Sequence, residues 1–337
     1  MRPDPPARAH RALAACWPGV AATVLVMTLA GCSALNPQAR TDAALQLAAD
    51  AGWQGTHLTA GRFDLLALHP PSIRATSPVP TLAVFIEGDG LAWLDPHTPS
   101  DDPTPRHPIA LQMALAEPHL PSVYLARPCQ YNAALTATNC SEQDWTGGRF
   151  SAEIVDAMDD AVSQLKARSG AQQLVFVGYS GGGAIATLLA ARRTDVARLV
   201  TVAAVLDTSA WASQHRITPL EASLNPADQW QALRGVPQVH FVGQQDRQTG
   251  RAAVQSFVDR FGHDSHTLQP VVIEIEGADH HCCWAKDWAR LSPLAGRGLD
   301  IGLDLGLDMG LPLPADTPAP VPFGLSLSKP LLVQAQR

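Results

Sequence analysis

Residues 174–192, LVFVGYSGGGAIATLLAAR, constrain this chain more than any other stretch. Leu174 to Val177 form a short apolar, β-branched run of the kind that makes a buried strand. Gly178-Tyr179-Ser180-Gly181-Gly182-Gly183 follow, and then Ala184, Ile185, Leu188 and Leu189 recur at helical spacing. The order predicts a strand, a tight turn with a serine at its apex, and a helix. Gly178 and Gly182 lack a Cβ where the strand and helix backbones must approach too closely to admit one. The helix directs its N-terminal amides towards Ser180. In that context a G-x-S-x-G turn exposes a nucleophilic serine.

The rest of the chain alternates in the same way. Strands are expected at 62–69, 81–86, 122–126, 199–205, 239–242 and 271–275. Helices are expected at 41–51, 109–116, 150–168, 252–261 and 284–291. In 150–168, Ser151 is the cap candidate, Ile154, Met158, Ala161, Val162 and Leu165 make the apolar stripe, and Gly170 ends the helix. The alternation predicts an α/β fold: one domain with a mostly parallel sheet of about seven or eight strands and helices on both faces. Three segments, 92–107, 127–149 and 208–235, lack a regular pattern and are expected to shape whatever binds. With 46% hydrophobic residues in 337 the chain can bury a sizeable core. A net charge of -7 with no basic block excludes nucleic acid as an expected partner.

The ends read differently. Arg2, Arg8 and Arg11 precede an apolar run from Gly19 to Leu29 and the sequence Leu29-Ala30-Gly31-Cys32. This resembles a bacterial lipoprotein signal, in which 1–32 is the signal peptide and Cys32 is lipidated and becomes the new N-terminus. An ordinary secretory signal or a membrane anchor is the alternative, although the apolar run is short for a span. By the same resemblance Ser33 after the cysteine implies an outer-membrane anchor facing the periplasm. Residues 33–41 would be a tether, 42–291 the folded domain, and 292–337 a low-complexity tail in which Gly-Leu-Asp recurs. Cys129, Cys140, Cys282 and Cys283 remain after Cys16 leaves with the signal and Cys32 takes lipid. An even number in an exported chain suggests disulfides. A Cys129–Cys140 bridge is plausible, Cys282 and Cys283 could pair with each other or elsewhere, and three connectivities stay open. No C-x-x-C spacing supports a metal.

Nucleophilic acyl transfer needs a serine, a base within reach, a carboxylate to orient the base, and donors for the oxyanion. Ser180, Asp246 and His280 occur in the chain order Ser, acid, His, each just beyond an expected strand. Asp207 also follows a strand and competes with Asp246; His281 competes with His280. The turn Glu87-Gly88-Asp89-Gly90 ends the 81–86 strand. The backbone amide of Asp89 or Gly90, with that of Gly181, would serve the oxyanion.

From about residue 45 to 291 the chain resembles an α/β-hydrolase. Gly178-Tyr179-Ser180-Gly181-Gly182 carries the resemblance, supported by the 87–90 turn, Asp246 and His280. The resemblance implies ester, thioester or amide hydrolysis of a small-molecule or acyl substrate through an acyl-enzyme, without cofactor or metal; an esterase is the default. It implies nothing about oligomeric state. One departure stands out: an acidic pair, Glu87 and Asp89, occupies the turn where the family usually has His-Gly. Carboxylates beside a developing oxyanion oppose it unless they point away, bind something, or meet a cationic substrate. A trypsin-like protease would be all-β with its histidine well before the serine. A dinucleotide fingerprint needs glycine at the third position, where Ser180 stands. The alternative from another class is a non-catalytic lipoprotein of the same fold, serving as a cell-envelope binding or assembly module.

Overall fold

The serine turn lies at the centre of the sheet. In the computed structural model, which describes residues 36–74, 76–131, 139–262 and 267–297, the strand before it is β7, Gln173–Tyr179, and the helix after it is α4, Gly181–Arg192. In chain order the other elements begin with α1 (Pro37–Asp50), β1 (Gln54–Ala60), β2 (Phe63–His69) and β3 (Thr81–Ile86). A small hairpin, β4 (Trp93–Asp95) and β5 (Thr98–Pro99), comes next, then α2 (Ile109–Leu115), β6 (Ser122–Leu125) and α3 (Ala152–Ser169). Beyond α4 follow β8 (Val196–Val202), α5 (Thr208–His215), β9 (Gln238–Gly243), α6 (Gly250–Val258), β10 (Val271–Ile275) and α7 (Trp284–Arg297).

Eight strands form one sheet in the order β1-β2-β6-β3-β7-β8-β9-β10. β1–β2 and β2–β6 pair antiparallel, and every pair from β6 to β10 is parallel. Side chains alternate across the central strands, so each face has its own core. Leu82, Val84, Ile86, Leu174 and Phe176 pack with Ile154 and Met158 of α3, Leu188 of α4 and Phe257 of α6. Ala83, Phe85, Val175 and Val177 pack with Ala48 of α1, Met113 of α2 and Trp284 and Trp288 of α7. The expected fold class is therefore the observed one, with helices on both faces.

The elements depart from the sequence expectation at identifiable places. α1 begins at Pro37, inside the expected tether, because Asn36 caps it through bonds from the Gln38 and Ala39 amides and Pro37 occupies the first helical turn. β1 was not expected; it is an edge strand whose first residues stay exposed, so it carries no apolar run. β8 spans Val196–Val202 rather than 199–205. Segment 208–235 is not wholly irregular: it contains α5 and a 3₁₀ turn at Pro226–Gln229. α7 runs through Pro293 to Arg297, into the expected tail, with Leu291 and Ala295 buried. No helix among the described residues is long and apolar enough to cross a membrane. The 1–32 signal, Cys32 and residues 298–337 lie outside the described residues.

Candidate active site

Close approach of strand and helix builds the turn around Ser180. A Cβ on Gly178 would come within 2.4 Å of the Gly182 carbonyl oxygen, and one on Gly182 within 2.3 Å of the Ile86 carbonyl oxygen. Both positions therefore require glycine, as expected from sequence. Ser180 itself adopts φ 52°, ψ -121°, a conformation a non-glycine residue holds only when its surroundings enforce it. Its amide donates to the Val202 carbonyl and its carbonyl accepts from Gly183, which hold the apex in place. Ser180 is half-buried, so its hydroxyl is reachable.

Two hydrogen bonds join residues far apart in sequence. Ser180 Oγ lies 3.0 Å from His280 Nε2, and His280 Nδ1 lies 2.9 Å from Asp246 Oδ2. The carboxylate fixes the tautomer: Nδ1–H donates to Asp246, leaving Nε2 to accept from the serine hydroxyl. Sheet order explains the meeting. β9 and β10 are adjacent and parallel, so Asp246 beyond β9 and His280 beyond β10 emerge side by side at the same edge as Ser180 beyond β7. Asp246 is held in turn by Thr249, whose Oγ1 donates to Oδ2 at 2.7 Å and whose amide donates to Oδ1 at 3.1 Å, and by the Gln248 amide at 2.8 Å. Burial pushes the Asp246 carboxyl up, but the His280 hydrogen bond and charge and the Thr249 bonds outweigh it and hold it down at about 2. The His280 carbonyl accepts from Tyr179 Oη at 2.9 Å and Trp284 Nε1 at 3.1 Å, so the strand before the serine also fixes the loop bearing the histidine.

The alternatives do not join this set. Asp207 is buried elsewhere, capping α5 through the Ser209 and Ala210 amides and accepting from Asn225, Ser256 and Arg260. His281 is exposed; its ring packs edge-on to that of His280. Cys129 and Cys140 are bonded, as are the adjacent Cys282 and Cys283.

The acidic turn resolves into two different groups. Glu87 is fully buried and turned towards the start of α2: Oε1 accepts from the Gly88 amide at 2.9 Å and the Ala110 amide at 3.5 Å, while Oε2 accepts no hydrogen bond among the described residues. Burial raises its carboxyl to about 7 despite those bonds. Asp89 stays at the site, paired with Arg127 and Arg149. Its carboxylate lies against Gly181, where a Cβ would come within 1.9 Å of Oδ1, so a side chain there would displace the Asp89 carboxylate. Gly90 is exposed, with φ 66°. The Asp89 and Gly181 amides donate to no group among the described residues. Gln130 Nε2 pins the turn by donating to the Gly88 carbonyl at 2.9 Å.

Sequence reasoning missed Thr249, Tyr179, Arg127 and Arg149 as parts of this site. The Asp-x-x-Thr spacing of 246–249 is a local signal for a side chain closing a turn. The two arginines flank the Cys129–Cys140 segment but carry no local signal for meeting Asp89.

The family model for the alpha/beta hydrolase fold matches residues 126–256, which include Ser180 and Asp246. The chain has the α/β-hydrolase fold. A Klebsiella pneumoniae protein assigned as a dienelactone hydrolase superposes with a TM-score of 0.50 at 17% identity, over 73% of this chain and 98% of that one. Esterase Pf2001 from Pyrococcus furiosus gives a TM-score of 0.49 at 11% identity, over 73% and 91%. No curated protein matches the sequence.

Proposed function

We propose that this chain is a serine hydrolase that cleaves an ester, or a thioester or amide, through an acyl-enzyme. The observation that carries this reading is the continuous relay from Ser180 Oγ through His280 to Asp246, with bonds of 3.0 and 2.9 Å. In the proposed reaction Ser180 Oγ attacks the carbonyl carbon while its proton passes to His280 Nε2. The oxyanion that develops takes hydrogen bonds from the Asp89 and Gly181 amides, the latter opening α4, where the helix dipole adds to the effect. His280 then gives the proton to the leaving group as the bond to it breaks. Water attacks the acyl-enzyme with the same histidine as base, and the acid and free serine are released. Asp246 stabilises the imidazolium that forms transiently.

A p-nitrophenyl ester series of increasing acyl length tests the reading. His280→Ala should lower kcat/KM by about a thousandfold, and His281→Ala should stay within about threefold. Equal losses would remove His280 as the base. The carboxylesterase default is weighed against thioesterase and peptidase activity by including matched thioester and anilide substrates.

We also propose export with lipidation on Cys32 and an anchor on the periplasmic face of the outer membrane. The Leu29-Ala30-Gly31-Cys32 sequence supports it, as does the Cys129–Cys140 bridge, which suits an oxidising compartment. Globomycin should make the unprocessed precursor accumulate in the producing cell; no accumulation would contradict lipidation.

A further inference from the structure

Arg127 and Arg149 stand near the two ends of a segment cinched by the Cys129–Cys140 bridge, and both reach Asp89. Arg127 Nη1 donates to Oδ1 at 3.2 Å and Arg149 Nη1 to Oδ2 at 2.9 Å. The carboxylate they share lies against Gly181, the residue next to Ser180. One arginine would balance Asp89, and the second leaves a positive charge over. That surplus is held where charge is costly, since the arginine side chains are only 5% and 8% exposed and Asp89 is 23% exposed.

Donors also remain unused. Arg127 Nη2 donates to the Arg149 carbonyl, but Nε of both arginines is buried without a hydrogen-bond partner among the described residues. Arg149 Nη2 makes no hydrogen bond among the described residues, and it is not one of the sealed polar atoms. The Arg149 guanidinium carbon lies over the rings of Phe150 and Trp211, 5.7 and 5.6 Å from their centroids, contacts that favour its charge without neutralising it. Glu87 also acts on Arg127, but its carboxyl is turned towards α2 and burial disfavours its ionised form.

We propose that Arg127, Asp89 and Arg149 form an anion subsite beside the nucleophile, and that the substrate carries a carboxylate on its acyl portion close to the scissile carbonyl. The substrate part of this proposal rests on Ser180 being the nucleophile. A planar guanidinium fits a carboxylate better than an ammonium does, and Asp89 both orients the pair and keeps the empty site from carrying two unbalanced charges. The acidic turn therefore selects for an anion through its partners, not for a cation.

Calorimetry on the Ser180→Ala protein tests the subsite, with monomethyl glutarate as the anionic probe and dimethyl glutarate as its neutral counterpart. The monoanion should bind at least about tenfold tighter, and Arg149→Gln in the same background should erase that advantage. If Arg149→Gln does not fold, Arg149→Lys should reduce the advantage and Asp89→Asn should increase it. Equal binding of the two probes, or an advantage that these changes leave untouched, overturns the subsite. A second arm compares kcat/KM of the unmodified enzyme on the p-nitrophenyl monoester of glutaric acid and on p-nitrophenyl butyrate. Turnover of butyrate with no preference for the glutarate ester overturns the substrate assignment and leaves Ser180 standing. Arginine-dependent binding of the monoanion with no turnover of either ester, and no labelling of Ser180 by a fluorophosphonate, means instead that the hydrolase reading has failed.

Discussion

Asp207 and Asp246 are two aspartates with the same sequence credentials and different fates. Each follows a parallel strand, each is buried, and each accepts backbone amides two and three residues ahead. Asp246 turns its second oxygen to His280. Asp207 turns its second oxygen to Ser256 and Arg260, and so ties the cap of α5 to the end of α6 and the turn beyond it. The difference lies in what the next strand delivers. β10 lies beside β9 and carries a histidine just past its end, whereas the segment after β8 meets a helix surface instead. A strand-end aspartate thus becomes an orienting group or a structural one according to its neighbour in the sheet.

The sharpest way to break this contrast is to neutralise each acid in turn. Asp246→Asn should lower kcat/KM on a reactive ester by about 10³–10⁴-fold with little loss of fold, because the asparagine can donate to Nδ1 and so stabilise the wrong tautomer. If activity survives, Asp246 does not orient the base. Asp207→Asn should do the reverse. Chemical denaturation should show a loss of about 1–2 kcal/mol from the weakened cap and Ser256 bond, with turnover within about threefold of the parent. A large loss of activity at unchanged stability would erase the distinction between the two acids.

Glu87 and Asp89 repeat the contrast two residues apart, and here the expected effect is smaller and depends on pH. The folded carboxyl of Glu87 is raised from 4.5 to about 7, so its neutral form is the favoured one. Its contribution to stability is complete below about 4.5 and is lost as pH rises through about 7. Glu87→Gln should therefore melt higher than the parent at pH 8 and gain nothing at pH 4.5, in thermal scans at the two values. For Asp246 the sign is opposite. A carboxyl held at about 2 stabilises the fold above about 4, and that contribution is lost as pH falls through 2.

Much of this was legible in the sequence because its causes are local. Gly178, Ser180 and Gly182 announce a tight turn through residue types alone, and the apolar period on either side names the strand and the helix. The alternation of elements predicted the parallel sheet. Asp246 and His280 were legible as strand-end candidates, but only the lateral order of β8, β9 and β10 separates Asp246 from Asp207. Asn36-Pro37 at the start of α1 is a capping signal present in the sequence, and Asp207 takes the capping role open to any strand-end aspartate. β1 was hidden because an edge strand with an exposed beginning needs no apolar run. Arg127 and Arg149 were invisible for a stronger reason: their meeting at Asp89 depends on contacts across 38 and 60 residues.

The central claim is that Ser180 is a nucleophile activated by His280 and Asp246. The most direct measurement is intact mass after treatment with a fluorophosphonate, followed by peptide mapping. The account predicts one adduct per chain, located on Ser180, absent in Ser180→Ala and formed far more slowly in His280→Ala. A folded parent protein that stays unlabelled, or a Ser180→Ala protein that still takes the adduct, would contradict it.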